Sequence, residues 1–282
     1  GDTFHVIDDS VTVSLDTAPE GVTAGEADDE GVVTYSLNVD AGDDADLTGL
    51  VAKVSVTVGD GEPSYQYVAL DGAGTFDVST NELHGETVTV KVEAIGTGDT
   101  DASFEETTAD DVTVATAGGD IAIEDSFHVE DDRVTVDFAA GTYTGTTSSE
   151  DDEGSVSYTL AVDKHDNASY PSNAYAKIVI THGTSTDTQY VALNGAAPTF
   201  SVSKAEAHGE NFTVKIADIV KLDVGTTVVT GNQLSSGGTT TSLTGSDSST
   251  DGYDYEINAT AKTDGDTFHV IDDSVTVSLD TA

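Results

Sequence analysis

Asp2-Thr-Phe-His-Val-Ile-Asp-Asp-Ser-Val-Thr-Val13 opens the chain and returns twice. A diverged copy, Asp125-Ser-Phe-His-Val-Glu-Asp-Asp-Arg-Val-Thr-Val136, lies mid-chain, and residues 265–282 repeat residues 1–18 letter for letter. The marks start at residues 2, 125 and 266, a first interval of 123 residues and a second of 141. Self-similarity at this spacing is the sign of a tandem array, and each interval is long enough to bury a core of its own. Met is absent, so Gly1 is not expected to be a translation start. The chain reads as a slice of a longer array that takes in the opening of the next repeat.

Within the mark, Ser10 to Leu15 alternate polar and apolar residues, the period of a half-buried strand. The same period recurs in residues 32–39, 50–58, 65–70, 75–79, 87–95 and 111–116, separated by turn signals such as Gly59-Asp60-Gly61 and Asp71-Gly-Ala-Gly74. About seven strands with a turn every 8–12 residues and no helical period predict a β-sandwich. The second interval keeps the order: Asp151-Asp-Glu-Gly154 answers Asp28-Asp-Glu-Gly31, Gln189-Tyr-Val-Ala-Leu193 answers Gln66-Tyr-Val-Ala-Leu70, and Phe212-Thr-Val-Lys-Ile216 answers Val88-Thr-Val-Lys-Val92. It differs in residues 217–264, which are longer and rich in Thr, Ser and Gly. The extra length is expected between the last two strands, as a loop or a hairpin through Thr226 to Thr230. The predicted fold is all-β: two tandem immunoglobulin-like β-sandwich modules, residues 1–120 and 121–264, followed by the first strand of a third in 265–282.

Nine Lys and Arg stand against 53 Asp and Glu, a formal charge of −44. Such a field excludes attraction to nucleic acid or to an anionic membrane and favours cations as partners. Self-repulsion at this density calls for salt or divalent ions, while 37% hydrophobic residues in periodic runs argue against disorder. Without Cys there is neither a disulfide nor thiol chemistry. No signal peptide is apparent, and no apolar run reaches the roughly 20 residues that cross a bilayer.

Asp-Glu-Gly-x-Val-x-Tyr-x-Leu at 29–37 and 152–160, with Ser103-Phe-Glu105 leading through an acidic linker to a fresh Val-Thr-Val strand, resembles the immunoglobulin-like extender repeats of giant calcium-dependent bacterial surface adhesins, the type I secreted RTX adhesins. The resemblance covers both units. It implies an extracellular stalk at the bacterial cell surface, stiffened by calcium at module junctions and serving cell adhesion and biofilm formation.

Calcium takes six to eight oxygen ligands and stabilises carboxylates that would otherwise repel one another. In a seven-stranded sandwich the first strand runs to the C-terminal end, so its loop with Asp28, Asp29 and Glu30 should meet the linker residues Glu124 and Asp125 and the turn Glu130, Asp131 and Asp132. These form the candidate Ca²⁺ site. Asp8 and Asp9, Asp272 and Asp273 are their equivalents in the other marks, and Asp151, Asp152 and Glu153 should face a third module. The competing reading is a solvated, salt-adapted surface. The chain holds neither an EF-hand loop nor a glycine-rich nonapeptide repeat.

His5, His128 and His269 share one place in the mark, and His84 and His208 another. Repetition in every unit points to packing or a structural hydrogen bond, and with no nucleophile elbow present no enzymatic role is expected. Tyr35 with Tyr158 and Phe76 with Phe200 are expected in the core. Tyr65 and Tyr67 share one face of a strand and offer an aromatic stripe to a glycan, although Trp is absent. Asn167, Asn211 and Asn258 begin acceptor triplets for glycosylation that chance supplies readily in such a chain. Three functions follow: a structural extender whose partners are neighbouring repeats of the same chain; a subunit of a fibre, sheath or surface layer that exchanges strand 265–282 with other copies; and a glycan- or ice-binding module.

Overall fold

A computed structural model describes residues 8–16, 19–23, 26–29, 31–43, 45–72, 74–108, 110–115, 123–140, 149–151, 154–205, 207–223, 229–245, 253–275 and 277. It divides into two compact units, Gly1–Asp131 and Asp132–Ala282.

The first unit contains β1 (Val11–Leu15), β2 (Val22–Thr23), β3 (Glu26–Ala27), β4 (Val32–Ala41), β5 (Leu50–Val58), β6 (Ser64–Ala69), β7 (Thr75–Ser79), β8 (Thr87–Thr97), β9 (Glu105–Glu106), β10 (Val112–Val114) and β11 (Glu124–Val129). One sheet has the order β10-β1-β4-β7; the other runs β2-β3-β11-β8-β5-β6, with β9 on β8. Successive side chains of a strand point to opposite faces. Val11, Val13 and Leu15 therefore turn into the same core as Val54, Val90 and Phe127, while Thr12 and Lys53 turn away.

The second unit contains β12 (Arg133–Phe138), β13 (Ser149–Glu150), β14 (Ser155–Asp163), β15 (Ala174–His182), β16 (Ser185–Ala192), β17 (Thr199–Ser203), β18 (Asn211–Leu222), β19 (Val229–Thr230), β20 (Gln233–Leu234), β21 (Thr240–Ser242), β22 (Asp254–Ile257), helix α1 (Ala259–Thr263) and β23 (Asp266–Val270). Its sheets follow the same plan, β17-β14-β12-β22 and β13-β23-β18-β15-β16, with β21 on β18. Even the irregularity is copied. The register slips between Lys53 and Val54 in one unit and between Lys177 and Ile178 in the other. The added length falls between β18 and β22, where β19 and β20 pair and β21 adds to β18. Of the expected hairpin, residues 226–228 lie outside the described residues. Short helix α1, which the sequence did not announce, starts where the Asn258 side chain accepts a hydrogen bond from Thr260 N, a standard N-cap.

The domain boundaries differ from expectation. The repeat mark holds two strands, not one. Glu124–Val129 pairs with β8 of the first unit, and Arg133–Phe138 pairs with β14 of the second, so the chain passes from one sandwich to the next over Glu130, Asp131 and Asp132 alone. The division falls after Asp131 instead of after residue 120. Likewise Asp266–Val270, expected to begin a third module, closes the second by pairing with β18. Phe-His-Val is too short to declare its period in sequence. It becomes a strand because Phe127 and Phe268, each 2% exposed, complete the two cores.

Candidate cation-binding turn and the strand that leads to it

The shared strand is held from two sides. Along its antiparallel edge it pairs with β8 or β18. Across the core, Tyr35 Oη donates to Asp125 Oδ2 at 2.9 Å, and Tyr158 Oη donates to Asp266 Oδ2 at 3.0 Å. Both rings are fully buried, stacked on Phe76 and Phe200 with centroids 5.5 and 5.1 Å away. Burial pushes both phenols above their usual range. At Tyr35 the Asp125 hydrogen bond and charge push it further, and at Tyr158 the charge of Asp266 and then its hydrogen bond do the same. Core placement was read from the sequence. The hydroxyl bonds were not, because their partners lie 90 and 108 residues away.

At its far end the strand meets the acidic loop. β11 runs parallel to β3, with Val129 opposite Ala27, and Glu130 N donates to Ala27 O at 2.9 Å. Two residues further along each chain stand Asp29 and Asp131, 3% and 6% exposed. The His84-Gly85-Glu86 turn ties them together. His84 Nδ1 hydrogen-bonds the Asp29 carboxylate, and a Cβ at Gly85, whose φ is +71°, would lie 3.5 Å from Asp131 Cβ. Gly85 N donates to Val129 O at 3.0 Å, and Val129 N donates to Glu86 O at 2.8 Å.

The second unit repeats the backbone bonds of this clamp. Gly209 N donates to Val270 O at 3.0 Å, Val270 N donates to Glu210 O at 2.8 Å, and Ile271 N donates to Glu150 O at 2.8 Å. Asp272 takes the place of Asp131. Hydrogen bonds from Ser274, with the charge of His208 behind them, hold its carboxyl below the usual range, and Ser10 does the same for Asp8. Of these three equivalent aspartates the middle one is buried, whereas Asp8 and Asp272 are exposed. One substitution of chemistry separates the units: Lys204, 4% exposed, reaches Glu150 at 3.1 Å where Thr80 and Ala27 stand in the first. Within the second unit, ligand oxygens of Asp132 and Asp254 lie within 4.8 Å of each other.

The expected ligand set is thus partly assembled. Asp28, Asp29, Glu130 and Asp131 come to one end of the first unit. Glu124 and Asp125 do not join them. They begin β11, so Asp125 stands about 20 Å from Asp131 at the usual rise per residue, and its side chain faces the core phenol. Glu30, Asp152 and Glu153 lie outside the described residues. Asp9, Asp151 and Asp273 are exposed. Two buried carboxylates at the end of a parallel strand pair are oxygen donors of the kind a divalent cation takes, so the residues fit calcium. His84 serves as a hydrogen-bond partner of Asp29, which keeps that carboxylate oriented. His269 Nδ1 likewise lies 3.1 Å from Asn211 Oδ1.

No protein-family model matches the chain, and no curated protein matches it. Among solved structures it is similar over 76% of its length to the FN1–FN3 domains of chicken CNTN1, at 10% identity and a TM-score of 0.23, spanning 62% of that chain. It is similar over 74% of its length to the D0–D1 domain of intimin, at 13% identity and a TM-score of 0.22, spanning 90% of that chain. A Salmonella alpha-2-macroglobulin matches 79% of it at 8% identity and a TM-score of 0.22, spanning 18% of that protein. The chain is all-β. Its own sheets, two packed on a common core in each unit, define the fold as a β-sandwich. No described helix is long and apolar enough to cross a membrane.

Proposed function

We propose that the chain is a run of structural extender repeats from a large extracellular bacterial adhesin, and that it works mechanically instead of catalytically. The observation that supports this is the shared segment. One continuous stretch, Glu124 to Phe138, closes the first sandwich and opens the second with three residues between its strands, so each module is built with part of the mark that starts its neighbour. Such a chain gains reach with every repeat, and its neighbours in the array are its first partners. In this reading Ca²⁺ binds at the acidic end of each module, in the first taking oxygens from Asp29, Glu130 and Asp131.

The test is calorimetry of the full chain after chelation, followed by addition of calcium to millimolar concentration. A ligand that binds only the folded state adds about 2.7 kcal/mol of stability at a hundred times its Kd and so raises the melting temperature. The rise should shrink in Asp29→Asn and Asp131→Asn. An unchanged melting curve in millimolar calcium would remove the ion from the proposal.

A second reading has one observation in its favour. Val275 and Val277 are 85% and 86% exposed, whereas Val11 and Val13, the same residues of the same mark, are 1% and 0% exposed. A segment able to fill a first-strand position supports assembly of copies by strand exchange. Sedimentation velocity separates the two, because assembly gives species that grow with concentration.

A further inference from the structure

We infer that the solvent face of the first unit's larger sheet, around Tyr65, Tyr67 and Phe104, binds a neutral oligosaccharide. Strand alternation sends Lys53 and Ser55 of β5, Tyr65 and Tyr67 of β6, and Lys91 of β8 away from the core that Val54, Val68 and Val90 enter. Phe104, just before β9, folds over this face with its ring 5.4 Å from that of Tyr67. Tyr65 is 38% exposed, and Lys53 Nζ lies 3.9 Å from its ring centre and 5.6 Å from that of Phe104. Asp101 accepts the Tyr67 hydroxyl and lies 3.6 Å from Lys53 Nζ. Lys91 Nζ donates to Glu93 at 2.8 Å, and Ser55 Oγ donates to the same carboxylate at 2.8 Å. Tyr67 also borders a groove of about 450 Å³ that Gln66, Gly72, Thr75 and Phe76 line.

Charge selects the ligand. Residues 1–131 contain 31 Asp and Glu, and their only cationic side chains are Lys53 and Lys91. Both stand on this one face, and each already has a carboxylate beside it. The unit's field repels a polyanion, while the face itself offers locally balanced donors and acceptors beside flat rings. That is the complement of a sugar, whose C–H face stacks on an aromatic ring while its hydroxyls take hydrogen bonds. Burial, with Asp101 adding its hydrogen bond and charge, pushes the Tyr67 phenol up to about 12, so it stays a neutral hydroxyl in ordinary solution.

The second unit is an internal control. Thr188 stands where the first has Tyr65, and Tyr190 where it has Tyr67. There the edge strand is covered by the chain itself: Tyr190 N donates to Asn232 O at 2.8 Å, and Gln233 Nε2 donates to Thr188 O at 2.9 Å. Tyr190 is left 9% exposed. The same sandwich therefore forms without an exposed aromatic pair, so packing does not require one in the first unit. This inference does not depend on the calcium reading.

The experiment exposes the labelled full chain to an array of neutral and acidic oligosaccharides, then titrates a retained sugar by calorimetry. Neutral sugars should be retained, at least about tenfold more weakly by Tyr65→Ala, a loss of about 1.4 kcal/mol. The melting temperature should be unchanged, and Thr188→Ala should bind as the parent does. If Tyr65→Ala melts early, Lys53→Gln gives the same reading. Retention of acidic sugars alone, affinity indifferent to both substitutions, or no neutral sugar bound at millimolar concentration would overturn the inference.

Discussion

In each sandwich one tyrosine hydroxyl helps to hold the last strand. Asp266 is 7% exposed and receives the Tyr158 hydroxyl at 3.0 Å. Removing the donor takes one hydrogen bond from a buried carboxylate, a loss of about 1–3 kcal/mol. Tyr158→Phe should therefore destabilise the second unit by that amount in chemical denaturation. Tyr35→Phe should cost the first unit less, because Asp125 is only half-buried and water can replace the bond. Equal effects of the two substitutions would show that burial of the acceptor does not matter. That these tyrosines are core residues was legible from their place in an alternating strand. Their partners were not, since a contact spanning about a hundred residues leaves no local trace.

At the scale of elements, the longer strands were legible because each alternates for five residues or more, and the structure places them within a residue or two of the predicted bounds. The two-residue strands β2, β3 and β13 were not: β3 is a rung beside β11 and β13 one beside β23, and β2 pairs with β3. β11 escaped for a related reason: its neighbourhood read as an acidic linker. Phe127 and Val129, 2% and 0% exposed, each contribute about 1.5–3 kcal/mol of burial, a large share of the 5–15 kcal/mol that stabilises a typical domain. A fragment of residues 1–131 should thus fold cooperatively, while residues 1–120 should be largely unfolded or aggregated by circular dichroism. Equal stability of the two fragments would mean that β11 only decorates the first unit.

For the whole molecule, 53 acidic side chains against nine basic ones set the terms on which any fold can persist. Salt screens like charges that stand more than about 10 Å apart at 0.1 M and more than about 3 Å apart at 1 M. In chelator, the melting temperature should therefore climb steadily between these salt concentrations. A flat response would show that the carboxylates are already neutralised in pairs. What the amino-acid sequence determined by itself was everything local or additive: the strand period, the turns, the repeat and the charge, since each is a property of neighbouring residues or of a sum. It also named Asp28, Asp29 and Glu30 with Glu124, Asp125, Glu130, Asp131 and Asp132 as one group, from the direction in which a sandwich's strands must run. Only the tertiary structure decided that the repeat mark belongs to two modules at once, that Glu124 and Asp125 leave the group, and that His84 joins it. Those outcomes depend on which distant strand completes a core, and that choice is made by burial across the sheets.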